Sequence, residues 1–256
     1  MSGDQIPAPV GSPLADRLVI VLGAARSGTT WLQELLCAHP AFRKLAWESN
    51  VFKSVWELWE NQHRPDGEGI SAYVESDELV GVLRTFCDDV LLMGIGDQAG
   101  SWIVDKTPGD VNRLAMIADV YPDAWYINLV RDGRDVARSH VRTRNWANNV
   151  GEAAHDWVWS IRAVERHRWR LPRFRRVRYE DLLADPVGRT RELLEWMGLT
   201  VDESLDQRIA ERRSVEVARY GATEAIGSGK WRDLSAGDLE QIERVAGPVL
   251  AELGYL

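Results

Sequence analysis

The sequence predicts a three-layer α/β fold, in which a central parallel sheet is covered by helices on both faces. Short apolar runs alternate along the chain with longer segments of helical spacing, as expected of successive β-α units. The first run, LVIVL at Leu18–Leu22, is apolar throughout and rich in β-branched residues, which is typical of a strand buried on both faces. A glycine-containing loop and then a helical segment follow it directly, so a strand–loop–helix unit is predicted here.

Three further strands are predicted after Leu18–Leu22. They lie in SWIVDK, which ends at Asp105–Lys106, in AWYINLV, which ends at Arg131, and in FRRVR. Helices are predicted in TTWLQELLCAH, at 51–62 and 71–93, in DVNRLAMIADVYP, GRDVARSHVRT, EAAHDWVWSIRAVERHRWR and PVGRTRELLEWMGL, and at 235–253 with Ser235 as N-cap. Ligands bind beyond the carboxyl ends of the strands in such sheets, so we expect the residues that follow the strands to meet at one edge.

The composition, with 45% apolar and 27% charged residues among 256, indicates one globular domain. It is predicted to span 17–256, after a flexible tail at 1–16. The net charge of −8 argues against a nucleic-acid-binding protein. No apolar run reaches the roughly 18 residues of a membrane span, and the first residues do not resemble a secretion signal. Cys37 and Cys87 lack the spacing of a metal site and predict a reduced, cytoplasmic protein without a bound metal.

The loop GAARSGTTWL, which begins at Gly23, has most of a phosphate-binding pattern. Gly23 and Gly28 have the spacing of G-x-x-x-x-G-K-[ST], and Thr30 stands at the hydroxyl position. Thr29, however, stands where the pattern has a lysine, and the cation of the loop is Arg26. Because that lysine and Mg²⁺ hold the β- and γ-phosphates in nucleoside triphosphatases, we expect a P-loop-like fold whose loop binds a different anion. The alternative is a tight strand–helix turn without a ligand.

Two further basic segments are candidates for binding the same anion. In LVRDGRDVARSH, Arg131 ends a strand and Ser139 follows after about two helical turns. The alternative role for Arg131 is an ion pair with Asp132 or Asp135. Near the C-terminus, GSGKWRDLS combines glycines with a lysine and an arginine, a composition that suits a loop folding over a phosphate.

The order of these motifs resembles that of the sulfotransferases that use 3′-phosphoadenosine 5′-phosphosulfate (PAPS). R-S-G-T-T-W follows the first strand, R-x₇-S follows a later strand, and a Tyr-Glu-Asp turn and a Gly-Lys-Trp loop come after them, between Leu18 and Tyr255. The resemblance implies that PAPS, or its product adenosine 3′,5′-bisphosphate (PAP), is the cofactor. It implies that the first loop binds the phosphosulfate through Arg26, Ser27, Gly28, Thr29 and Thr30.

The resemblance also implies which residues bind the rest of the nucleotide. Trp31 and Tyr179 match aromatic residues near the adenine, although Trp31 is equally consistent with helix packing. Arg131 and Ser139 match the pair that binds the 3′-phosphate, the group that distinguishes this cofactor from ATP. The closing loop of the family reaches the same phosphate and matches Gly229, Lys230, Trp231 and Arg232.

The residue that would deprotonate the acceptor differs from that of the cytosolic members, which carry a catalytic histidine after the second strand. The stretch DKTPGD keeps Lys106 and Thr107, but Pro108 stands in place of the histidine and accepts no proton. HPAFRKLAWESNVF resembles a segment of the tyrosylprotein and heparan-type members in which a glutamate is the base, and it implies this role for Glu48. The alternative is that Glu48 caps the following helix.

A lysine, an arginine and two aromatic residues complete the predicted catalytic surroundings. Trp47 and Phe52 are near Glu48 in the sequence and are expected to shield it partly from water. Lys106 and Arg26 are implied to stabilise charge on the sulfuryl oxygens and on the leaving phosphate. The alternative role for Lys106 is an ion pair with one of the aspartates of VDKTPGD.

We therefore expect transfer of a sulfuryl group from PAPS to a hydroxyl of a small molecule, glycan or lipid, without a metal ion. Two alternatives stay open: a P-loop-type kinase or nucleoside triphosphatase, and a protein that binds nucleotide without catalysing a reaction. The acceptor pocket is expected within 49–100 and 143–171. These segments carry Trp56, Trp59, Trp146, Trp157 and Trp159.

Overall fold

Five parallel strands form one sheet in the part of the chain that the structure describes. The computed structural model describes residues 11–62, 69–96, 100–143, 147–220 and 227–256, without the side chains of 71 and 213–220. The strands are β1 (Leu18–Leu22), β2 (Phe42–Lys44), β3 (Trp102–Asp105), β4 (Trp125–Val130) and β5 (Phe174–Arg178). Their order across the sheet is β2–β3–β1–β4–β5, and each adjacent pair is parallel.

Helices connect the strands and follow the last of them. They are α1 (Thr29–Leu36), α2 (Val51–Gln62), α3 (Ser76–Ile95), α4 (Leu114–Val120), α5 (Gly133–Thr143), α6 (Val150–His167), α7 (Tyr179–Ala184), α8 (Pro186–Trp196), α9 (Ser204–Tyr220) and α10 (Ala236–Glu252). None of the described helices combines the length and the apolar character that crossing a membrane requires.

The central strand carries side chains into two apolar cores, one on each face of the sheet. Leu18, Ile20 and Leu22 pack with buried residues of α2, α3 and α4. Val19 and Val21 pack on the opposite face with residues of α1, α8 and α9, as the alternation of side chains along a strand requires. A third cluster joins α5, α6 and α10. Helices thus cover both faces, and the predicted fold class is confirmed.

All four predicted strands are present, and the predicted helices differ from the structure mainly at their ends. The helix predicted at 71–93 spans Ser76–Ile95 instead. Its start is fixed by a capping box, in which the side chains of Glu75 and Glu78 bond each other's backbone N–H groups. The residues before it form a 3₁₀ turn at Gly69–Ala72.

Two elements were not predicted, because their sequences carry little periodic signal. β2 has three residues, of which Phe42 is the buried one, so it is too short to show strand alternation. The sequence of α9 is mostly polar, and Leu205 and Ile209 are its buried residues among those with described side chains. At the other end of the chain, Ser235 caps α10 as predicted, by accepting a hydrogen bond from the N–H of Asp238.

The folded domain begins before the predicted boundary at residue 17. Leu14 is fully buried and packs in the same core as Leu18. The backbone N–H of Leu14 donates to Ser12 Oγ at 3.2 Å. The tail predicted at 1–16 is therefore part of the fold from Ser12 onward, and residues 1–10 lie outside the described residues.

The position of β1 determines where a ligand can bind. Its neighbours are β3 on one side and β4 on the other, so the strand order reverses at β1. Parallel α/β sheets have a crevice beyond the carboxyl ends of the strands at such a reversal. The loop after β1, Lys106 after β3 and Arg131 after β4 all lie at this edge.

Candidate active site

Two glycines allow the loop after β1 to pack closely against its neighbours. Gly23 has a φ of +150°, and a Cβ there would lie 2.6 Å from the carbonyl oxygen of Leu129. Gly28 has a φ of +94°, and a Cβ there would lie 2.7 Å from the ring of Tyr179. Both positions therefore exclude a larger residue, and the loop is held between β4 and the start of α7.

Helix α1 begins directly at this loop. The first N–H groups of a helix have no partner within the helix and lie at the positive end of its dipole. Gly28 precedes the helix, Thr29 and Thr30 are its first residues, and its first turn carries no acidic side chain. Ser27 is buried, and its hydroxyl has no hydrogen-bond partner among the described residues. The local structure therefore favours binding of an anion.

A cavity of about 1070 Å³ opens beyond the carboxyl ends of β1, β3 and β4. Most of the predicted site residues line it: Arg26, Gly28, Thr29, Thr30, Trp31, Glu48, Lys106, Arg131, Ser139, Tyr179 and Lys230. Predicted residues that do not line it are Ser27, Gly229, Trp231 and Arg232. Nowhere in the described ranges do three His, Cys, Asp or Glu side chains come together in a way that could hold a metal ion.

Arg26, Ser139 and Arg131 form a hydrogen-bonded group in this cavity. Arg26 Nε donates to Ser139 Oγ at 3.1 Å, and Arg131 Nη1 donates to the carbonyl oxygen of Arg26 at 3.1 Å. The Arg131 guanidinium also lies over the ring of Tyr179, 4.4 Å from its centroid. These contacts fix the loop after β1, the end of β4 and helix α5 relative to one another.

The two aspartates that follow β4, Asp132 and Asp135, form ion pairs with nearby arginines. Arg131 Nη2 lies 3.7 Å from Asp135 Oδ2. Arg131 therefore forms the ion pair that was the alternative to ligand binding, and it also lines the cavity. Asp132 pairs with Arg134 instead, at 2.8 Å. Arg131 Nε is buried and has no hydrogen-bond partner among the described residues, so the guanidinium has an unused donor.

Trp31 and Tyr179 form an aromatic wall of the cavity. Their ring centroids are 5.7 Å apart in an edge-to-face arrangement. Both side chains are buried and belong to the core that also contains α8, while both line the cavity. Trp31 therefore packs its helix and contacts the cavity at once, and its Nε1 has no hydrogen-bond partner in the described part of the chain.

Glu48 and Lys106 form an ion pair in the same cavity. Lys106 Nζ donates to Glu48 Oε1 at 2.7 Å. The side chain of Lys106 is 9% exposed, whereas that of Glu48 is 42% exposed. Lys106 thus pairs with Glu48 rather than with a neighbouring aspartate. The second oxygen of Glu48, Oε2, makes no hydrogen bond to a described residue.

The expected apolar shield around Glu48 is wrong. Trp47 is 84% exposed, and Phe52 is fully buried in the core, so neither ring covers the carboxylate. Glu48 is not the cap of α2 either, because the N–H of Val51 donates to Ser49 Oγ at 3.3 Å. An ion pair, rather than an apolar wall, therefore determines the surroundings of this carboxylate.

Two buried carboxyl groups belong to the segment that carries Lys106. Asp105 and Asp110 are each about 1% exposed, and their carboxyl groups interact with each other, while that of Asp105 also interacts with the hydroxyl of Ser49. Arg113 Nη1 lies 3.9 Å from Asp110 Oδ1. Burial raises the pKa of both carboxyls, and the charge of Asp105 raises the pKa of Asp110 further, to well above its usual range. The pair therefore holds a proton more readily than exposed aspartates do.

Replacing Asp110 with asparagine is expected to stabilise the protein at neutral and alkaline pH. A carboxyl whose pKa is raised on folding contributes its stability below the unfolded value of about 3.8 and loses it as the pH rises through the folded value. Asparagine has no charge to bury, so the gain should be small near pH 4 and reach about 1–3 kcal/mol near pH 8. Thermal unfolding of the variant and the wild type at both pH values measures the difference.

The control for this comparison is Asp123→Asn, in the exposed turn before β4. It removes the same charge without relieving a buried one, so its effect should not grow with pH. An Asp110→Asn gain of equal size at both pH values, or a loss that grows with pH, would show that Asp110 does not have a raised pKa.

The loop GSGKWRD contains four residues that were predicted to bind the phosphate. Among them, Lys230 lines the cavity. Gly229, Trp231 and Arg232 line a separate cleft of about 190 Å³ instead. Of the four residues predicted to bind this phosphate, Lys230 alone therefore lines the cavity, and binding by the other three stays a prediction. The backbone explains the difference, because Gly229 has a φ of +72° and the N–H groups of Gly229 and Trp231 both donate to Asp135.

The cavity also contains residues that the sequence did not single out. They are polar or charged residues on or beside α2, α5 and the 3₁₀ turn after β3: Asn50, Lys53, Asn112, Arg113, Arg138 and Arg142. Arg138 and Arg142 both pair with Asp233 of the closing loop. Arg142 lies three residues after Ser139 on one helix face, a spacing that could have revealed it. Lys53 and Arg113 belong to no recognisable motif.

Two of the tryptophans expected around the acceptor do line the cavity. They are Trp157, which is buried, and Trp159, which is 60% exposed. Trp56 and Trp59 stack on each other with centroids 5.1 Å apart and pack against the core. Trp146 lies outside the described residues. Aromatic surface therefore makes a smaller part of the cavity than the sequence suggested.

His140 is a further cavity residue with an unused polar atom. Its Nε2 donates to the carbonyl oxygen of Ala25 at 3.1 Å, which fixes the tautomer. Burial lowers the pKa of the ring and so favours its neutral form. Nδ1 then carries a lone pair, and it has no hydrogen-bond partner among the described residues.

A family model and a known protein that are similar to this chain are both described as sulfotransferases. The model of the family described as "Sulfotransferase family" matches residues 19–203. Protein-tyrosine sulfotransferase 1 of Danio rerio is 24% identical to this chain, over 93% of this chain and 72% of that protein.

Solved structures share the fold. The sulfotransferase domain of the Synechococcus PCC 7002 olefin synthase has a TM-score of 0.59 and 20% identity, covering 91% of this chain and 94% of that domain. Mouse sulfotransferase SULT7A1, solved as a complex with PAP, has a TM-score of 0.54 and 14% identity, covering 93% of this chain and 89% of that protein.

Proposed function

The chain belongs to the sulfotransferase family, and from this premise we propose that it transfers a sulfuryl group from PAPS to a hydroxyl of a polar acceptor. The observation that carries the proposal is that one cavity contains both an anion-binding helix start and the Glu48–Lys106 ion pair. The loop offers Arg26 and the first N–H groups of α1 to a phosphate. It has Thr29 where a nucleoside triphosphatase needs lysine, so a kinase or triphosphatase is not favoured.

Unpaired donors around the cavity support PAPS and its product PAP as ligands. The buried atoms Trp31 Nε1, Thr107 Oγ1 and Arg131 Nε have no hydrogen-bond partner among the described residues, and all three residues line the cavity. Each atom can donate a hydrogen bond, and phosphate and sulfuryl oxygens accept them. Buried donors destabilise a protein unless something satisfies them. A nucleotide with two phosphate-bearing positions would supply acceptors where this chain supplies donors.

The residues of the ion pair have complementary roles in this proposal. PAPS, when bound, supplies a sulfuryl group attached to a phosphate that can leave as part of PAP. Oε1 of Glu48 is bound by Lys106, so Oε2 is the atom that would take the proton of the acceptor hydroxyl. Lys106 and Arg26 are cations that would stabilise the negative charge that develops during transfer. Positioning and electrostatics would then supply most of the rate, as in phosphoryl transfer.

The cavity favours a polar acceptor over a lipid. Asn50, Lys53, Asn112 and Arg113 contribute amides and cations to its lining. The exposed ring of Trp159 is held by a hydrogen bond from its Nε1 to Asn112 Oδ1 at 2.6 Å. A flat ring beside amide and cationic groups suits a sugar or a substituted phenol, whose hydroxyls need hydrogen-bond partners.

Acceptor specificity is therefore a direct test of the proposal. With PAPS labelled on sulfur and no divalent metal, we expect label to move to sugars or phenols that carry polar substituents. We expect none on a sterol, because burying the cations of the cavity against hydrocarbon is unfavourable. Scintillation counting of the separated products measures the transfer. Transfer to the sterol alone would contradict the polar acceptor, and PAP that binds without any transfer would favour a non-catalytic nucleotide-binding protein.

The cytoplasmic location predicted from the cysteines is kept as part of this proposal. Cys37 and Cys87 are both free thiols. Burial raises the pKa of each thiol to about 12, so neither is a ready partner for disulfide exchange. Both features agree with a reducing environment.

A further inference from the structure

The loop that follows residue 226 is fastened to α5 by a buried carboxylate. Asp135 is 1% exposed. Its Oδ2 accepts a hydrogen bond from the backbone N–H of Gly229 at 2.7 Å, and its Oδ1 accepts one from the N–H of Trp231 at 2.8 Å. The residue between those two N–H groups is Lys230, which lines the cavity. Two short bonds to one side chain therefore determine the backbone direction on both sides of Lys230.

Arg131 joins the same loop from the cavity side. Its Nη2 donates to the carbonyl oxygen of Gly227 at 2.8 Å and lies 3.7 Å from Asp135 Oδ2. The N–H of Gly227 donates to the hydroxyl of Tyr179 at 3.2 Å. The arginine that is proposed to bind the 3′-phosphate and the loop that carries Lys230 are thus parts of one hydrogen-bonded unit.

The side chain of Lys230 lies close beside Gly227. A Cβ at Gly227 would lie 3.0 Å from Lys230 Cε, so a residue with a side chain would crowd the lysine. The other end of the loop is tied down as well, because Arg138 binds both carboxylate oxygens of Asp233, at 2.6 and 2.5 Å. The segment from Gly227 to Asp233 therefore holds Lys230 between two anchored ends.

A negative charge beside a phosphate subsite needs a reason, since alone it would repel the ligand. The charge of Asp135 is matched by two N–H donors and by Arg131. A buried carboxylate with two short backbone bonds is a strong and directional contact. The position of Asp135 is explained if this carboxylate holds the loop that carries Lys230 over the ligand.

We propose that Asp135 is a positioning residue, which holds Lys230 over the phosphate subsite of Arg131 and Ser139 and so favours a nucleotide with a 3′-phosphate. The proposal rests on the proposed function. Asp135 itself does not touch the nucleotide in this scheme. Its effect passes through the loop, and it should disappear when Lys230 is absent.

A double-mutant cycle tests this coupling. Asp135→Asn keeps the shape of the side chain but replaces one acceptor oxygen with an NH₂ group that cannot accept a backbone N–H. Calorimetric titration of wild type, Asp135→Asn, Lys230→Ala and the double variant with PAP and with AMP gives the affinities. We expect Asp135→Asn to lower the affinity for PAP about 10–100-fold and the affinity for AMP less than about threefold.

The double variant decides between a positioning and a merely structural role. If Asp135 acts through Lys230, the double variant should bind PAP only slightly more weakly than the single variant with the lower PAP affinity. The matched control is Asp206→Asn, which removes an exposed carboxylate that pairs with Arg191 on the surface. It should leave both affinities unchanged.

Three results would overturn the proposal: independent, multiplicative losses in the double variant, equal losses for PAP and AMP, or no loss in Asp135→Asn. If Asp135→Asn does not fold, hydrogen exchange of the wild type provides the test, because the N–H groups of Gly229 and Trp231 should exchange slowly. Rapid exchange of both would contradict the anchoring. Failure of the proposed function is distinguishable, since wild type would then not prefer PAP to AMP at all.

Discussion

Replacing Glu48 with glutamine is expected to reduce sulfuryl transfer by about 10²–10⁴-fold while leaving the affinity for PAP almost unchanged. Glutamine keeps an oxygen at the position of Oε1, so it can still accept the hydrogen bond from Lys106 Nζ that the structure shows at 2.7 Å. It cannot take a proton from the acceptor hydroxyl. The substitution therefore removes the proposed proton acceptor and preserves the surrounding hydrogen bond.

Single-turnover rates with PAPS and a calorimetric titration with PAP measure the two effects separately. Glu57→Gln, at an exposed position of α2, is the matched control and should transfer sulfuryl groups at the wild-type rate. A Glu48→Gln enzyme with nearly full activity would reject Glu48 as the base. Loss of PAP affinity equal to the loss of rate would assign Glu48 to binding instead.

The second large effect is expected from Arg131→Gln, which should weaken PAP binding by about 100-fold. Glutamine removes the positive charge and the unused Nε donor from the cavity. It also loses the contacts of Arg131 with the carbonyl oxygens of Arg26 and Gly227, so a smaller loss of AMP affinity is expected. The informative quantity is the ratio of the PAP and AMP affinities, which should fall by more than about tenfold.

Arg162→Gln is the matched control for this variant. It breaks an exposed, two-bond pair with Glu252 and should leave the ratio unchanged. Thermal unfolding of both variants shows whether the fold is retained. A ratio that stays at its wild-type value in a folded Arg131→Gln protein would remove Arg131 from the 3′-phosphate subsite.

The parts of the fold with strong periodic signals could be predicted from the sequence. LVIVL is buried on both faces, and the residues after the first, second and third predicted strands meet in one cavity. This follows from topology, because parallel strands place their carboxyl ends at one edge. β2 and α9 could not be predicted, since one is three residues long and the other is mostly polar.

The candidate site was harder to predict where it depends on backbone direction. The order of the motifs predicted that Lys230 reaches the cavity. It could not show that the backbone turns at Gly229, or that Trp231 packs against Arg134, whose Cζ lies 3.9 Å from the centroid of the Trp231 ring. Sequence proximity likewise suggested that Trp47 covers Glu48, whereas the ring is exposed. Long-range contacts such as that of Asp135 with the closing loop leave no trace in a single sequence.

The most direct test of the account is a calorimetric comparison of PAP, ATP and AMP. The account predicts that PAP binds most tightly and needs no Mg²⁺, because the loop provides a helix start and the cation of Arg26 but has no lysine at position 29. AMP should bind more weakly, since it lacks a group for Arg131 and Ser139. Preference for ATP over PAP, with Mg²⁺ required for binding, would contradict the account.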